Sequence, residues 1–233
     1  MAYKELRERV YRANRELNAR GLVVYTFGNA SGIDRKSGMV AIKPSGVDYG
    51  NLAPDNMVLM DLDGTVVEGT YNPSSDTKTH LVLYRAFDDI GGVVHTHSRY
   101  ATAWAQARKD LPAYGTTHAD YFYGDVPCTD VISNERIRRD YEEETGNLIL
   151  DTFSNRDHRS MKAVLVACHG PFVWGKDPEE AVYLSVMLEE CARMGYMTSG
   201  LNPEIGPIKR ELLEKHYLRK HGKNAYYGQK GGK

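Results

Sequence analysis

Apolar residues recur three or four apart over residues 2–20, placing Leu6, Val10, Ala13 and Leu17 on one face of a predicted helix. The period then changes. Short apolar runs punctuated by Gly, Asn and Asp read as strands: Leu22-Val23-Val24-Tyr25, Met39-Val40-Ala41-Ile42 and Met57-Val58-Leu59-Met60. Asp63-Gly64 supplies a hairpin turn from the third run into Val66-Val67. Helical spacing returns at 77–87 through Leu81, Tyr84 and Phe87. Gly92-Val93-Val94-His95 reads as a buried strand, and the helix after it carries Tyr100, Ala101, Trp104 and Ala105.

Ala163-Val164-Leu165-Val166-Ala167 is the clearest buried strand of the second half. Asp177-Pro178-Glu179-Glu180 then offers an N-cap, a proline at the first helical position and a glutamate at capping-box spacing. The helix it opens would bury Ala181, Leu184, Leu188, Cys191 and Gly195. A basic helix runs from Pro207 to about His221 and stops near Gly222. Hairpin-like strands and helices fit an α/β fold, a three-layer α/β/α sandwich with a largely antiparallel central sheet.

Composition narrows the class. A chain of 233 residues, 41% apolar and 26% charged, can form one core, so a single domain over 1–233 is expected. Its 30 basic and 31 acidic residues nearly cancel, which argues against nucleic acid or anionic membrane as partner. No apolar run approaches the roughly 20 residues of a membrane span, and the first residues lack a signal-peptide core. Three widely spaced cysteines, Cys128, Cys168 and Cys191, suggest neither a disulfide framework nor a cysteine zinc site. These features imply a cytoplasmic protein.

The chemistry concentrates at segment ends. His95 and His97 are two apart at the end of a strand, so both imidazoles can reach one metal ion, and His169 ends the other strong strand. The alternative is ordinary polar strand-end histidines. Asp76, in Asn72-Pro73-Ser74-Ser75-Asp76, reads either as the N-cap of the next helix or as a carboxylate ligand, with Ser74 or Ser75 then free to cap. Gly28-Asn29-Ala30-Ser31-Gly32 and Lys43-Pro44-Ser45-Gly46 are turn-like stretches able to cradle a phosphate, or plain turns; neither matches a Walker or dinucleotide fingerprint. Asp120 lies among hydrogen-bonding and aromatic residues that can shift a carboxyl pKa. The basic, aromatic tail from His216 is either a solvated end or a docked segment carrying a proton donor.

Taken in order, several stretches resemble the L-ribulose-5-phosphate 4-epimerases of the class II aldolase and adducin superfamily. They are Phe27-Gly28-Asn29, residues 42–49, Pro73-Ser74-Ser75-Asp76-Thr77, residues 92–99, residues 115–124, His169-Gly170-Pro171-Phe172 with Trp174-Gly175, and residues 215–222. The resemblance implies one divalent metal per subunit, zinc or alternatively manganese, on Asp76, His95, His97 and His169. It implies substrate and phosphate contacts from Gly28, Asn29, Ser45, Gly46, Ser74 and Ser75, with Lys43 and His216 nearby. Asp120 and Tyr227 take acid–base roles, and the assembly is a homotetramer in which the tail, about 216–233, enters a neighbour's site. The implied substrate is a phosphorylated pentulose in carbohydrate metabolism such as arabinose catabolism, and the implied reaction is retro-aldol cleavage and re-addition at C3–C4. Cys168 stands where serine is common and Phe27 where tryptophan is; alternation should turn Cys168 to the opposite strand face. Lys230-Lys233 has no counterpart role. Two rivals remain: a class II aldolase of the L-fuculose-1-phosphate type, against which Asp76 and Thr116 argue, and a non-catalytic adducin-like module.

Overall fold

A computed structural model describes residues 3–223, 225 and 226. The first helix, α1 (Lys4–Ala19), buries Val10, Ala13 and Leu17 as its spacing requires. After it come β1 (Asn29–Asp34), β2 (Met39–Ile42), β3 (Val58–Met60) and β4 (Val66–Glu68). Helix α2 (Thr77–Ala86), strand β5 (Gly92–His95), α3 (Arg99–Ala107), the short α4 (Thr116–Ala119) and α5 (Asn134–Thr152) form the middle of the chain. Strands β6 (Ala163–Val166) and β7 (Gly170–Gly175) and helices α6 (Pro178–Leu201) and α7 (Arg210–His221) complete it.

The seven strands make one sheet in the order β4-β3-β2-β1-β5-β7-β6, every neighbouring pair antiparallel. Period-two alternation divides it into two faces. Val40, Ile42, Val58, Met60 and Val93 join a core with Leu81 and Leu83 of α2 and Ile149 of α5. Ala41, Leu59 and Val94 join the opposite core with α1 and the start of α6. Each large side chain so buried contributes about 1.5–3 kcal/mol. The expected three layers and antiparallel sheet are therefore present. The Asp63-Gly64 turn is present too: Asp61 Oδ1 accepts from the Asp63 and Thr65 amides, and Gly64 has φ of 88°.

Three expectations fail locally. Leu22–Tyr25 is not a strand; Leu22 and Val23 are buried, but the segment is a loop that reverses at Tyr25, φ 54°. Residues 29–32, expected as a turn, are the start of β1, bonded on both sides in mid-sheet. Their small side chains have a packing reason: a Cβ on Gly32 would stand 2.7 Å from Pro178 Cγ and 3.0 Å from Val10 Cγ2. Cys168 does not lie on a strand face. It is exposed in the β6–β7 turn with φ of 64°, so strand alternation does not govern it. Helix α5 has no counterpart in the sequence reading, because its first half is polar and its backbone breaks at Asp140.

Candidate metal centre and phosphate cradle

His95 is the last residue of the central strand β5 and the chain passes straight on to His97, while the β6–β7 turn brings His169 alongside. One nitrogen from each of the three lies within 4.8 Å of the others. His95 and His97 bring their Nε2 atoms to 3.0 Å. Two nitrogens held by one tetrahedral zinc at about 2.0–2.1 Å stand roughly 3.3 Å apart, so little movement would be needed. His95 donates Nδ1–H to the Pro171 carbonyl at 3.0 Å, which leaves a lone pair on Nε2. Burial lowers the pKa of His169 to about 3, helped by the neighbouring His95 charge, and burial followed by His95 lowers that of His97. Converging imidazoles, two of them with lowered proton affinity, suit a divalent cation.

Asp76 lies outside that three-histidine cluster but does not serve as a helix cap. It occupies the N-cap position of α2, yet its side chain makes no capping bond. Its Oδ2 accepts from Asn29 Nδ2 at 2.7 Å, and the same amide donates to Ser74 Oγ at 2.9 Å. Burial alone would raise the Asp76 pKa; the charges of His95, His80 and His169, with the Asn29 bond, hold it below the usual carboxylate range. Asp76 faces the same cavity as the three histidines. The Asn29 amide oxygen, buried in that cavity wall, has no hydrogen-bond partner among the described residues.

The cavity has a volume of about 350 Å³. Gly28, Asn29, Lys43, Ser45, Gly46, Ser74 and Ser75 line it together with Asp76, His95, His97 and His169. Backbone bonds zip the two candidate cradle segments together: Ser45 N–H to Asn72 carbonyl, 2.9 Å, and Ser74 N–H to Lys43 carbonyl, 3.1 Å. Gly28 and Gly46 adopt φ of 77° and 66°, and a Cβ at Gly28 would come within 2.9 Å of the His95 carbonyl. Lys43 is 2% exposed, above the Tyr49 ring, and burial lowers its pKa to about 8. A buried ammonium whose hydrogen bonds among the described residues go to carbonyls, at 3.3 and 3.4 Å, is suited to meet an anion.

Asp120 and His216 lie elsewhere. His216 Nδ1 is 3.1 Å from Asp120 Oδ1, and Arg219 grips both carboxylate oxygens at 3.1 and 2.7 Å. Burial pushes the Asp120 pKa up, but Arg219, His216 and Lys220 overcome it and lower it. Neither residue lines the histidine cavity. Tyr227 and Lys230–Lys233 lie outside the described residues. Tyr141 and Glu142 line the cavity and escaped the sequence reading. Their signal was available: Asp140 and Glu143 have the spacing of a helix start.

The chain belongs to the class II aldolase and adducin family, whose N-terminal domain matches residues 8–196. The class II aldolases of this family are metal-dependent, and the three-histidine cluster is consistent with that. Among relatives, the L-ribulose-5-phosphate 4-epimerase UlaF of Salmonella paratyphi B is 52% identical over 97% of this chain and 100% of its own. UlaF of Salmonella typhi matches to the same extent. A solved L-fuculose 1-phosphate aldolase superposes with a TM-score of 0.79 at 26% identity, covering 94% of this chain and 97% of its own.

Proposed function

We propose that this protein is an epimerase that interconverts L-ribulose 5-phosphate and D-xylulose 5-phosphate by breaking and re-forming the C3–C4 bond. The observation that carries the choice of reaction is the 52% identity along the full length of the UlaF epimerases. The cavity supports it, because a carbonyl-activating corner and an anion cradle open onto one space.

His95, His97, His169 and Asp76 would hold one divalent ion, zinc by the nitrogen-rich donor set, with manganese as the alternative. Such an ion supplies Lewis-acid polarisation of the substrate oxygens. With a divalent ion bound, three neutral imidazoles and one carboxylate would leave that corner with net positive charge, which would favour the negative charge of the enediolate half of the cleaved sugar. Simple deprotonation at C4 is difficult because that hydrogen is not adjacent to the carbonyl; cleavage avoids it. Lys43, Ser45, Gly46, Ser74, Ser75, Gly28 and Asn29 tether the phosphate, so the aldehyde half turns over in place and is attacked on its other face.

The C4 oxygen loses a proton on one side and regains it on the other, which requires two acid–base groups. Asp120 and Tyr227 are our candidates, with His216 beside Asp120. Since Asp120 and His216 stand apart from the histidine cavity of the same chain, this reading needs a homotetramer in which the 216–233 tail and Asp120 of one copy complete the cavity of the next. The chain would act as a single domain in the cytoplasm, in pentose catabolism such as that of arabinose. A coupled assay for D-xylulose 5-phosphate, with metal content measured on the same sample, tests the reading. Accumulation of free glycolaldehyde phosphate without D-xylulose 5-phosphate would identify an aldolase instead, and protein that neither binds metal nor turns over substrate would leave only the structural module.

A further inference from the structure

Helix α5 breaks at Asp140, where φ is −168° and ψ is 98°. Asp140 also restarts it, because its Oδ1 accepts from the Glu143 amide three residues on, at 3.2 Å. Two bonds tie the restart to α2: Lys78 pairs with Asp140, and the Thr79 hydroxyl donates to the Glu142 carbonyl at 2.6 Å. The first residue of the restarted segment is Tyr141. Its hydroxyl reaches the cavity and lies 3.3 Å from His169 Nδ1.

An imidazole that ligates through one nitrogen is aimed by whatever holds the other. His95 has its Nδ1 held by the Pro171 carbonyl, within the sheet. His169 stands in a turn, next to a residue with φ of 64°, and lacks such backbone support for its ring among the described contacts. We infer that Tyr141 is a positioning residue, whose hydroxyl accepts from His169 Nδ1–H and so holds the ring with Nε2 facing the metal, and that the Asp140 break serves to deliver it. This inference rests on the metal reading above and is independent of which sugar phosphate is turned over.

The test compares full-length protein with its Tyr141→Phe variant, each stripped of metal and titrated with zinc against a chromogenic chelator. Tyr141→Phe is expected to bind zinc about 10- to 100-fold more weakly. Its melting temperature without metal should be unchanged, and at saturating zinc its kcat and KM should return to those of the parent. Asp140→Ala, which removes the restart, should weaken zinc binding in the same direction. Unchanged zinc affinity in Tyr141→Phe overturns the inference. So does a raised KM or lowered kcat that excess zinc fails to restore, since that would put the hydroxyl on the substrate. Parent protein that takes up no zinc or manganese sinks the metal reading and this one together. Parent protein that holds zinc but does not epimerise sinks the choice of reaction alone, and the affinity comparison still decides Tyr141.

Discussion

The Nε2 atoms of His95 and His97 face each other at 3.0 Å, close enough that a proton or a cation must lie between their lone pairs. His97→Asn removes one of the two. The substitution is expected to lower bound metal and D-xylulose 5-phosphate production together, activity falling about 100-fold or more. Metal analysis and the coupled assay on one preparation check it; full activity in metal-depleted protein would refute the role of the pair.

His80 shares the Asp76 face of α2 and is fully buried, its Nδ1 2.7 Å from Ser31 Oγ, which in turn is 2.8 Å from the Tyr84 hydroxyl. Burial lowers its pKa to about 3 from an unfolded value near 6.5. The unfolded chain therefore binds the extra proton first as pH falls, so stability is full above about pH 6.5 and declines toward pH 3. His169, also lowered to about 3, acts in the same direction. Melting of metal-free protein should fall steadily between pH 7 and pH 4. His80→Gln, with no titrating ring, should show a shallower slope even if its melting temperature at pH 7 is lower.

Lys43 is the buried cation of the cradle. Lys43→Met should leave metal content intact and raise KM for the sugar phosphate, with kcat/KM down about 10- to 100-fold for one lost charge-assisted contact. Because burial holds its pKa at about 8, the parent enzyme's KM should climb as pH rises through that value, and the variant's should not. Equal pH dependence in both would remove Lys43 from phosphate binding.

Tyr227→Phe tests the acid–base assignment without touching the metal corner. Bound zinc should be unchanged and kcat lower by about 100-fold or more. Asp120→Asn should slow turnover likewise, but it also releases Arg219 and His216 from their carboxylate partner, so a stability measurement must accompany it. An unaltered rate in Tyr227→Phe would exclude that hydroxyl.

The amino-acid order alone determines a good deal here. Helical spacing in α1, α2 and α6 is visible because one face of each is apolar and the other is not, and the runs at 39–42, 57–60, 92–95 and 163–167 are apolar enough to need burial. The pairing of His95 with His97 follows from a two-residue spacing. Local pattern fails where neighbours distant in sequence set the conformation. The small residues of β1 look like a turn until Pro178 and Val10 crowd Gly32, and Leu22–Tyr25 looks like a strand but pairs with none among the described residues. Asp76 had two uses for the same oxygens, and only the fold shows that one of them bonds Asn29, 47 residues away, and that neither caps α2. Tyr141 reaches His169 because a helix breaks at Asp140 and Lys78 of another helix secures the break. Spacing along the chain can name which side chains are able to meet, but their meeting depends on packing between elements that no short window contains.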